Sequence, residues 1–315
     1  MRIVYLGSGA FGLPTLKALL DRHDIALVVS QPDRPAGRGR HPTPTPVAAF
    51  VDVHGMPLLK TEDVNRPECI ERIHALKPDA MVVIAFGQKL LPALLAGQFA
   101  INLHGSLLPR HRGAAPINWA LLSGDRTTGV SVITLAQRMD AGAILATAET
   151  AIDPKETAGE LHDRLAEMGP APILKVLDLL PGRGSRAIDG DVQDETLATR
   201  APKLSRADAI IDLTQPAKAL RQRIHGLSPW PGVAIELGGI RLRLLRVEET
   251  PRTESALPGQ VLPDGRLACG AGALRLLEVR PSSGRSMTMD EFLRGHRAVV
   301  GMVAELPTER SGERA

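Results

Sequence analysis

Apolar and polar positions follow two different patterns along the chain. Through about residue 180, short runs apolar on both faces alternate with segments of helical spacing. RIVYL, IALVVS, AMVVIA and AINLH read as buried strands, and LPTLKALLDR, VAAFVDVHG and PECIERIHALK as helices between them. PLLK adds a short strand, GVSVITLA and AGAILATAE two more, and ELHDRLAEMGPAPILKVLDLL one long closing helix. Continuous apolar strands separated by helices predict a parallel sheet covered on both faces. From Pro181 the pattern changes. PGRGSRAIDGDVQDETLATRAPKLSR is polar, carries both charges and reads as a linker. Beyond it lies one helix, TQPAKALRQRIHGL. It is followed by short alternating segments with glycine-rich turns (GVAIEL, IRLRLLRVEE, GQVLP, LACGAGALRLLEVRP) that predict a small β-barrel or sandwich. EFLRGHRAVVGMVA reads as a final helix.

The 315 residues suffice for two domains. Hydrophobic residues make up 43% and aromatic residues only 3%, so the core must be mostly aliphatic. A net charge of +3 admits an anionic partner without demanding one. Cys69 and Cys269 stand far apart with no C-x-x-C, which argues against a disulfide framework or a cysteine zinc site and fits a reducing cytoplasm. The N-terminus shows no signal-peptide pattern, and no apolar run approaches the roughly 20 residues that span a membrane. A soluble cytoplasmic protein is expected.

LGSGAFG, after the first strand and before the first helix, spells G-x-G-x-x-G with Gly7, Gly9 and Gly12. A dinucleotide site also needs an acidic residue at the end of the second strand. That strand ends Val28-Val29-Ser30-Gln31, and Asp33 lies beyond Pro32. The fingerprint is half complete, which favours a structural turn over a nicotinamide site.

The chemistry points to residues 101–117, INLHGSLLPRHRGAAPI. Asn102 and His104 are two apart on a strand, so their side chains share one face. Gly105 follows at the carboxyl end, where open α/β sheets bind ligands. An amide there can donate to a developing oxyanion, and an imidazole can donate or move a proton. Asp140 lies downstream in an Asp-Ala-Gly turn and could orient the imidazole. Each residue is unspecific alone; together they suit polar catalysis on a carbonyl. Ser106 is not in a nucleophile elbow. The expected reaction is direct transfer between two bound substrates.

These residues resemble the signature of the methionyl-tRNA formyltransferase family, within the folate-dependent formyltransferases. The resemblance covers nearly the whole chain. QPDRPAGRGR, PDAMVVIAFGQKLLP and GVSVITLAQRMDAGAIL match the catalytic half, and ATRAPKLS, IHGLSPWPG, GALRLLEV and EFLRGHR match the linker and C-terminal half. The resemblance implies an α/β fold with a Rossmann-like parallel sheet formyltransferase domain over residues 1–182. A linker at 183–207 and a C-terminal β-barrel (OB-like) tRNA-binding domain at 208–315 would follow. It implies formyl transfer from 10-formyltetrahydrofolate to the α-amino group of methionine on initiator methionyl-tRNA, for translation initiation, by a cytoplasmic monomer without metal, NAD or membrane. Asn102, His104 and Asp140 would be catalytic. Asn102 and His104 would bond the tetrahedral intermediate, and Asp140 would hold His104 and help pass the proton to the folate nitrogen. Ser106, Leu107, Leu108 and Pro109 would line the folate site, with Phe86, Gly87 and Leu90 at the pterin.

For tRNA, the resemblance points to Arg34, Arg38 and Arg40 on the proline-flanked loop, and to Lys203, Arg241 and Arg243. Residues 183–246 hold eleven Lys or Arg against seven Asp or Glu, an excess suited to phosphate. RLRLLR should place Arg241 and Arg243 on one strand face and Leu242 and Leu244 on the other. With so few aromatics, recognition should rest on phosphates and shape. Three places depart from the family pattern: the Ser8-Gly9 pair in the first turn, His111 where an aromatic is common, and Leu213 where Trp is common. The alternatives are an N-formyltransferase acting on an amino sugar nucleotide, a nicotinamide oxidoreductase suggested by LGSGAFG, and a noncatalytic RNA-binding protein.

Overall fold

The computed structural model describes residues 1–37, 39–180, 188–252, 254–282 and 284–306. The chain divides into two units. One comprises Met1–Pro116, Thr127–Thr150 and His162–Pro202, the other Ile117–Arg126, Ala151–Leu161 and Lys203–Ala315. The expected boundary at residues 182 and 183 lies outside the described residues, as does Arg38.

In chain order, the first unit carries β1 (Arg2–Gly7), α1 (Leu13–Leu20), β2 (Asp24–Ser30), and a short hairpin of β3 (Arg34–Ala36) and β4 (His41–Thr43). It continues with α2 (Pro46–Val53), β5 (Leu58–Lys60), α3 (Pro67–Ala75), β6 (Ala80–Ile84), α4 (Pro92–Leu95), β7 (Ala100–His104) and β8 (Arg112–Gly113). α5 (Pro116–Leu122), which from Ile117 belongs to the second unit, then leads into β9 (Thr127–Thr134) and β10 (Ile144–Ala151). α6 (Ala158–Met168), α7 (Pro170–Asp178) and β11 (Arg200–Ala201) follow. Among the described residues, seven strands form one sheet in the order β10-β9-β7-β6-β1-β2-β5. The pairs β1–β2, β1–β6, β2–β5 and β6–β7 are parallel, as the apolar runs predict. β9 is antiparallel to β7, with His104 opposite Ser131, so the sheet is mixed at this edge. The long helix expected at 160–180 breaks at Gly169–Pro170. Pro170 has no N–H for the helical ladder, so α7 starts anew there with proline in its first turn.

The glycine loop closes the crevice between β1 and β6, where the strand order reverses. The amides of Ser8 and Gly9 both donate to the Ala85 carbonyl, at 3.3 and 3.2 Å, and that of Gly12 to Gly9. The Ser8 hydroxyl bonds the Phe86 carbonyl. A Cβ on Gly12 would lie 2.0 Å from the Tyr5 hydroxyl, which itself donates to the Gly12 carbonyl at 2.9 Å. The glycine spacing thus makes room for a buried tyrosine, and the amides of Ser8, Gly9 and Gly12 are spent inside the protein.

The second unit contains α8 (Ala217–Gly226), β12 (Ala234–Leu237), β13 (Ile240–Thr250), β14 (Leu267–Ala268), β15 (Ala273–Pro281) and α9 (Met289–Gly295). The strands form an antiparallel sheet in the order β12-β13-β15-β14. Its register shifts around Arg246, a bulge that bends the long β13 and gives the half-barrel curl. Leu242, Leu244 and Val247 are fully buried beside Leu220 and Ile224 of α8. The final helix is shorter than expected. A capping box of Thr288 and Glu291 starts it, but it stops at Gly295. Glycine-301 has φ +83°, and Val303 and Glu305 pair as strand with Gln260 and Glu236.

Candidate active site

Asn102 and His104 project from the end of β7 on the same side, with Ile101 and Leu103 buried on the other. His104 is 6% exposed, and its Nε2 lies 2.9 Å from the His111 carbonyl. A carbonyl can only accept, so Nε2 carries the hydrogen. The Nδ1 edge faces Asp140, whose Oδ2 is 3.7 Å away. That is beyond a hydrogen bond, so Asp140 does not clamp the imidazole directly. Its Oδ2 instead accepts the Gly113 amide at 2.9 Å. The Asn102 side-chain amide makes no hydrogen bond among the described residues.

Local sequence explains these positions. The Asp140 backbone is left-handed, φ +54°, a conformation Asp tolerates better than most residues. Gly142 is required two positions later: a Cβ there would lie 1.7 Å from the Thr134 carbonyl. Thr134 closes the loop base, its hydroxyl accepting from the Ala143 amide at 2.9 Å. Gln193 supports the turn from the stretch that reads as linker, donating to the Asp140 and Gly142 carbonyls at 2.8 and 2.7 Å. That stretch is docked along the first unit. Arg200 pairs with Arg112 in a two-stranded ladder, and Thr199 Oγ1 accepts the His111 amide at 2.8 Å. Gln193 belongs to no motif that sequence reasoning singled out; its burial among charged neighbours is the only signal, and it is visible in three dimensions alone.

The loop expected to line the folate site follows β7 directly. Ser106 is fully buried and its hydroxyl donates to the Arg110 carbonyl at 2.7 Å, while its own carbonyl accepts from Ser131. Ser106 therefore shapes the loop. Leu108 is buried, and Leu107 and Pro109 are half-buried. Phe86 is 2% exposed within the core cluster that Leu90 packs against, and its carbonyl accepts the Gln31 amide. Gly87, at φ +80°, marks the turn. His111 is 4% exposed, so its ring is buried rather than presented for stacking, and its role here runs through its carbonyl. Leu213 is buried, consistent with packing. Among the described residues, no group of three or more His, Cys, Asp or Glu is placed to hold a metal ion, and no helix is long and apolar enough to cross a membrane.

The cationic residues separate into two kinds. Arg34 and Arg40 are exposed on or beside the β3–β4 hairpin, Arg34 within 3.5 Å of Glu62. Lys203 and Arg241 are exposed. Arg243 is half-buried and donates to the Pro231 carbonyl at 2.7 Å. Burial, then the charges of Arg280 and Arg241, lower its pKa. Arg221, Arg223 and Arg246 bond the carbonyls of Pro154, Asp208 and Lys155, and Arg246 also pairs with Glu160. Much of the positive charge counted in residues 183–246 is thus structural.

Residues 1–177 match the formyl transferase family, and residues 203–297 match the formyl transferase C-terminal domain. A curated methionyl-tRNA formyltransferase from Methylococcus capsulatus is 41% identical over 302 residues, 94% of this chain and 97% of its own length. The chain belongs to the methionyl-tRNA formyltransferase family. Two solved structures share the fold at low identity. A Clostridium thermocellum methionyl-tRNA formyltransferase has a TM-score of 0.56 at 14% identity, covering 82% of this chain and 96% of that one. A Helicobacter canadensis N-formyltransferase, in complex with folinic acid and dTDP-3-aminofucose, has a TM-score of 0.64 at 11% identity, covering 91% of this chain and all of that one. The fold alone therefore does not separate a tRNA acceptor from a sugar acceptor. Sequence similarity across both halves is what places this formyltransferase on the tRNA branch.

Proposed function

We propose that the protein transfers a formyl group from 10-formyltetrahydrofolate to the α-amino group of methionine on initiator methionyl-tRNA, acting as a cytoplasmic monomer. The observation that carries this is the Asn102–His104–Asp140 cluster in a chain similar to a methionyl-tRNA formyltransferase over both halves. Asn102 donates from its unpartnered amide to the formyl oxygen as the neutral amine attacks the formyl carbon and the oxyanion forms. His104 presents its Nδ1 edge to the incoming amine and takes its proton, beside the Asp140 carboxylate. As the carbon–nitrogen bond to the folate N10 breaks, the proton passes to that nitrogen and tetrahydrofolate leaves. No acyl-enzyme is needed, because the amine is itself the nucleophile.

Leu107, Leu108 and Pro109 supply the folate wall, with Phe86, Gly87 and Leu90 at the pterin and Ser106 holding the loop. Arg34, Arg38, Arg40, Lys203, Arg241 and Arg243 contact tRNA phosphates. The LGSGAFG turn serves packing around Tyr5 and binds no dinucleotide. The reading is tested by single-turnover transfer of labelled formyl from 10-formyltetrahydrofolate to charged and uncharged initiator tRNA. Label on the charged tRNA alone supports it; label on neither, from folded protein, refutes it.

A further inference from the structure

We propose that Gln193 is a positioning residue for Asp140, fixed in turn by Arg112; this rests on the formyl-transfer reading above. Gln193 and Arg112 are only 6% and 9% exposed. Arg112 Nε and Nη2 donate to Gln193 Oε1 at 2.9 and 2.7 Å. A guanidinium only donates, so the oxygen of the Gln193 amide must face it and the nitrogen must face the other way. That nitrogen meets two acceptors, the carbonyls of Asp140 and Gly142. The other edge of Arg112 binds both carboxylate oxygens of Glu195, at 3.1 and 3.0 Å, and Arg138 joins Glu195 at 2.8 Å.

The arrangement grips Asp140 from both sides. Its backbone, in the left-handed region, is held through Gln193, and its carboxylate is held by the amide of Gly113, the residue after Arg112. Without the two bonds from Gln193, nothing else described bonds the Asp140 carbonyl, and the turn can relax toward ordinary φ. Asp140 Oδ2 would then leave the Nδ1 edge of His104.

Gln193→Glu separates this role from bulk. It keeps the size and the pairing with Arg112 but has no N–H for either carbonyl. We expect kcat to fall about 10- to 100-fold, the scale of an ångström-level misplacement, with KM for methionyl-tRNA changed less than about 3-fold. In an Asp140→Ala background the same change should add less than about 2-fold, because the two act as one unit. The His104 ring resonances, followed by NMR through a pH titration, should move toward those of Asp140→Ala. Should Gln193→Glu not fold, Arg112→Lys, which loses the two-pronged grip on the amide, should give the same pattern. Wild-type kcat together with an unchanged His104 titration in a folded variant overturns the proposal. An equal fold-loss with and without Asp140 also overturns it, as general support of the fold. If the wild type transfers no formyl group, the function reading falls, and the His104 titration alone decides the positioning role.

Discussion

His225 should make the second unit lose stability as pH falls below about 6.5. The β13 bulge takes the Val247 amide out of the regular ladder, and His225 of α8 accepts it through Nε2 at 3.0 Å. Nε2 is then the acceptor, so the neutral ring carries its hydrogen on Nδ1, which is buried without a hydrogen bond. Protonation would place a second hydrogen at Nε2 against a donor. Burial, then the charges of Arg221 and Arg246, lower the pKa to about 4. The unfolded chain, near the ordinary value of 6.5, takes up the proton first, so stability is complete above that value and falls with pH down to about 4. Linkage gives a loss of about 2 kcal/mol near pH 5 and about 3 kcal/mol near pH 4. The assay is urea unfolding at several pH values, followed by fluorescence of Trp119 and Trp230, both in this unit. Carboxylates titrate over the same range, so the comparison is with His225→Gln, which can still accept the Val247 amide but does not titrate. The variant should lose about 2 kcal/mol less than wild type between pH 7 and 5. Equal losses in the two proteins would refute the reasoning.

Three further outcomes are expected. Asn102→Ala, His104→Ala and Asp140→Ala should each lower kcat by about 100-fold or more, the scale of one transition-state donor or acid–base group; near-normal turnover in a folded variant removes that residue from the mechanism. Gly12→Ala, which drives a methyl into the Tyr5 hydroxyl, should destabilise the first unit by about 1–3 kcal/mol, read by chemical denaturation; no change would mean the tyrosine is not fixed there. Arg241→Gln should reduce the salt-dependence slope of tRNA binding by about 1 and leave stability unchanged, whereas Arg246→Gln, cutting ties to Lys155 and Glu160, should lower stability; identical behaviour of the two would contradict the division of cations into exposed and structural.

The strands and their parallel core were legible because residues buried on both faces leave continuous apolar runs. The direction of β9 was not, since a strand buried on both faces reads the same whichever way it runs. The helix break was marked by Gly169-Pro170, yet the apolar spacing on both sides masked it. The end of the last helix was masked similarly, because Val299, Val300 and Val303 keep an apolar pattern that the structure uses as a short 3-10 helix, a turn and a β-bridge. The shared face of Asn102 and His104 at the end of β7 was legible from their spacing, and the tight turn at Asp140 from Asp-Ala-Gly. Their support was not: Gln193, Arg112 and Thr199 reach the site across long sequence separations, and polar residues in a charged stretch look the same docked or solvated. For the same reason, charge counting could not show that Arg221, Arg223 and Arg246 bond backbone carbonyls within the protein.

The most direct test of the central claim is acceptor choice. Wild-type protein with labelled 10-formyltetrahydrofolate is given initiator methionyl-tRNA and an amino sugar nucleotide in one reaction, and the label on each is measured. The account predicts label on the methionyl-tRNA and none above background on the sugar. Label on the sugar nucleotide in preference to the tRNA would contradict it.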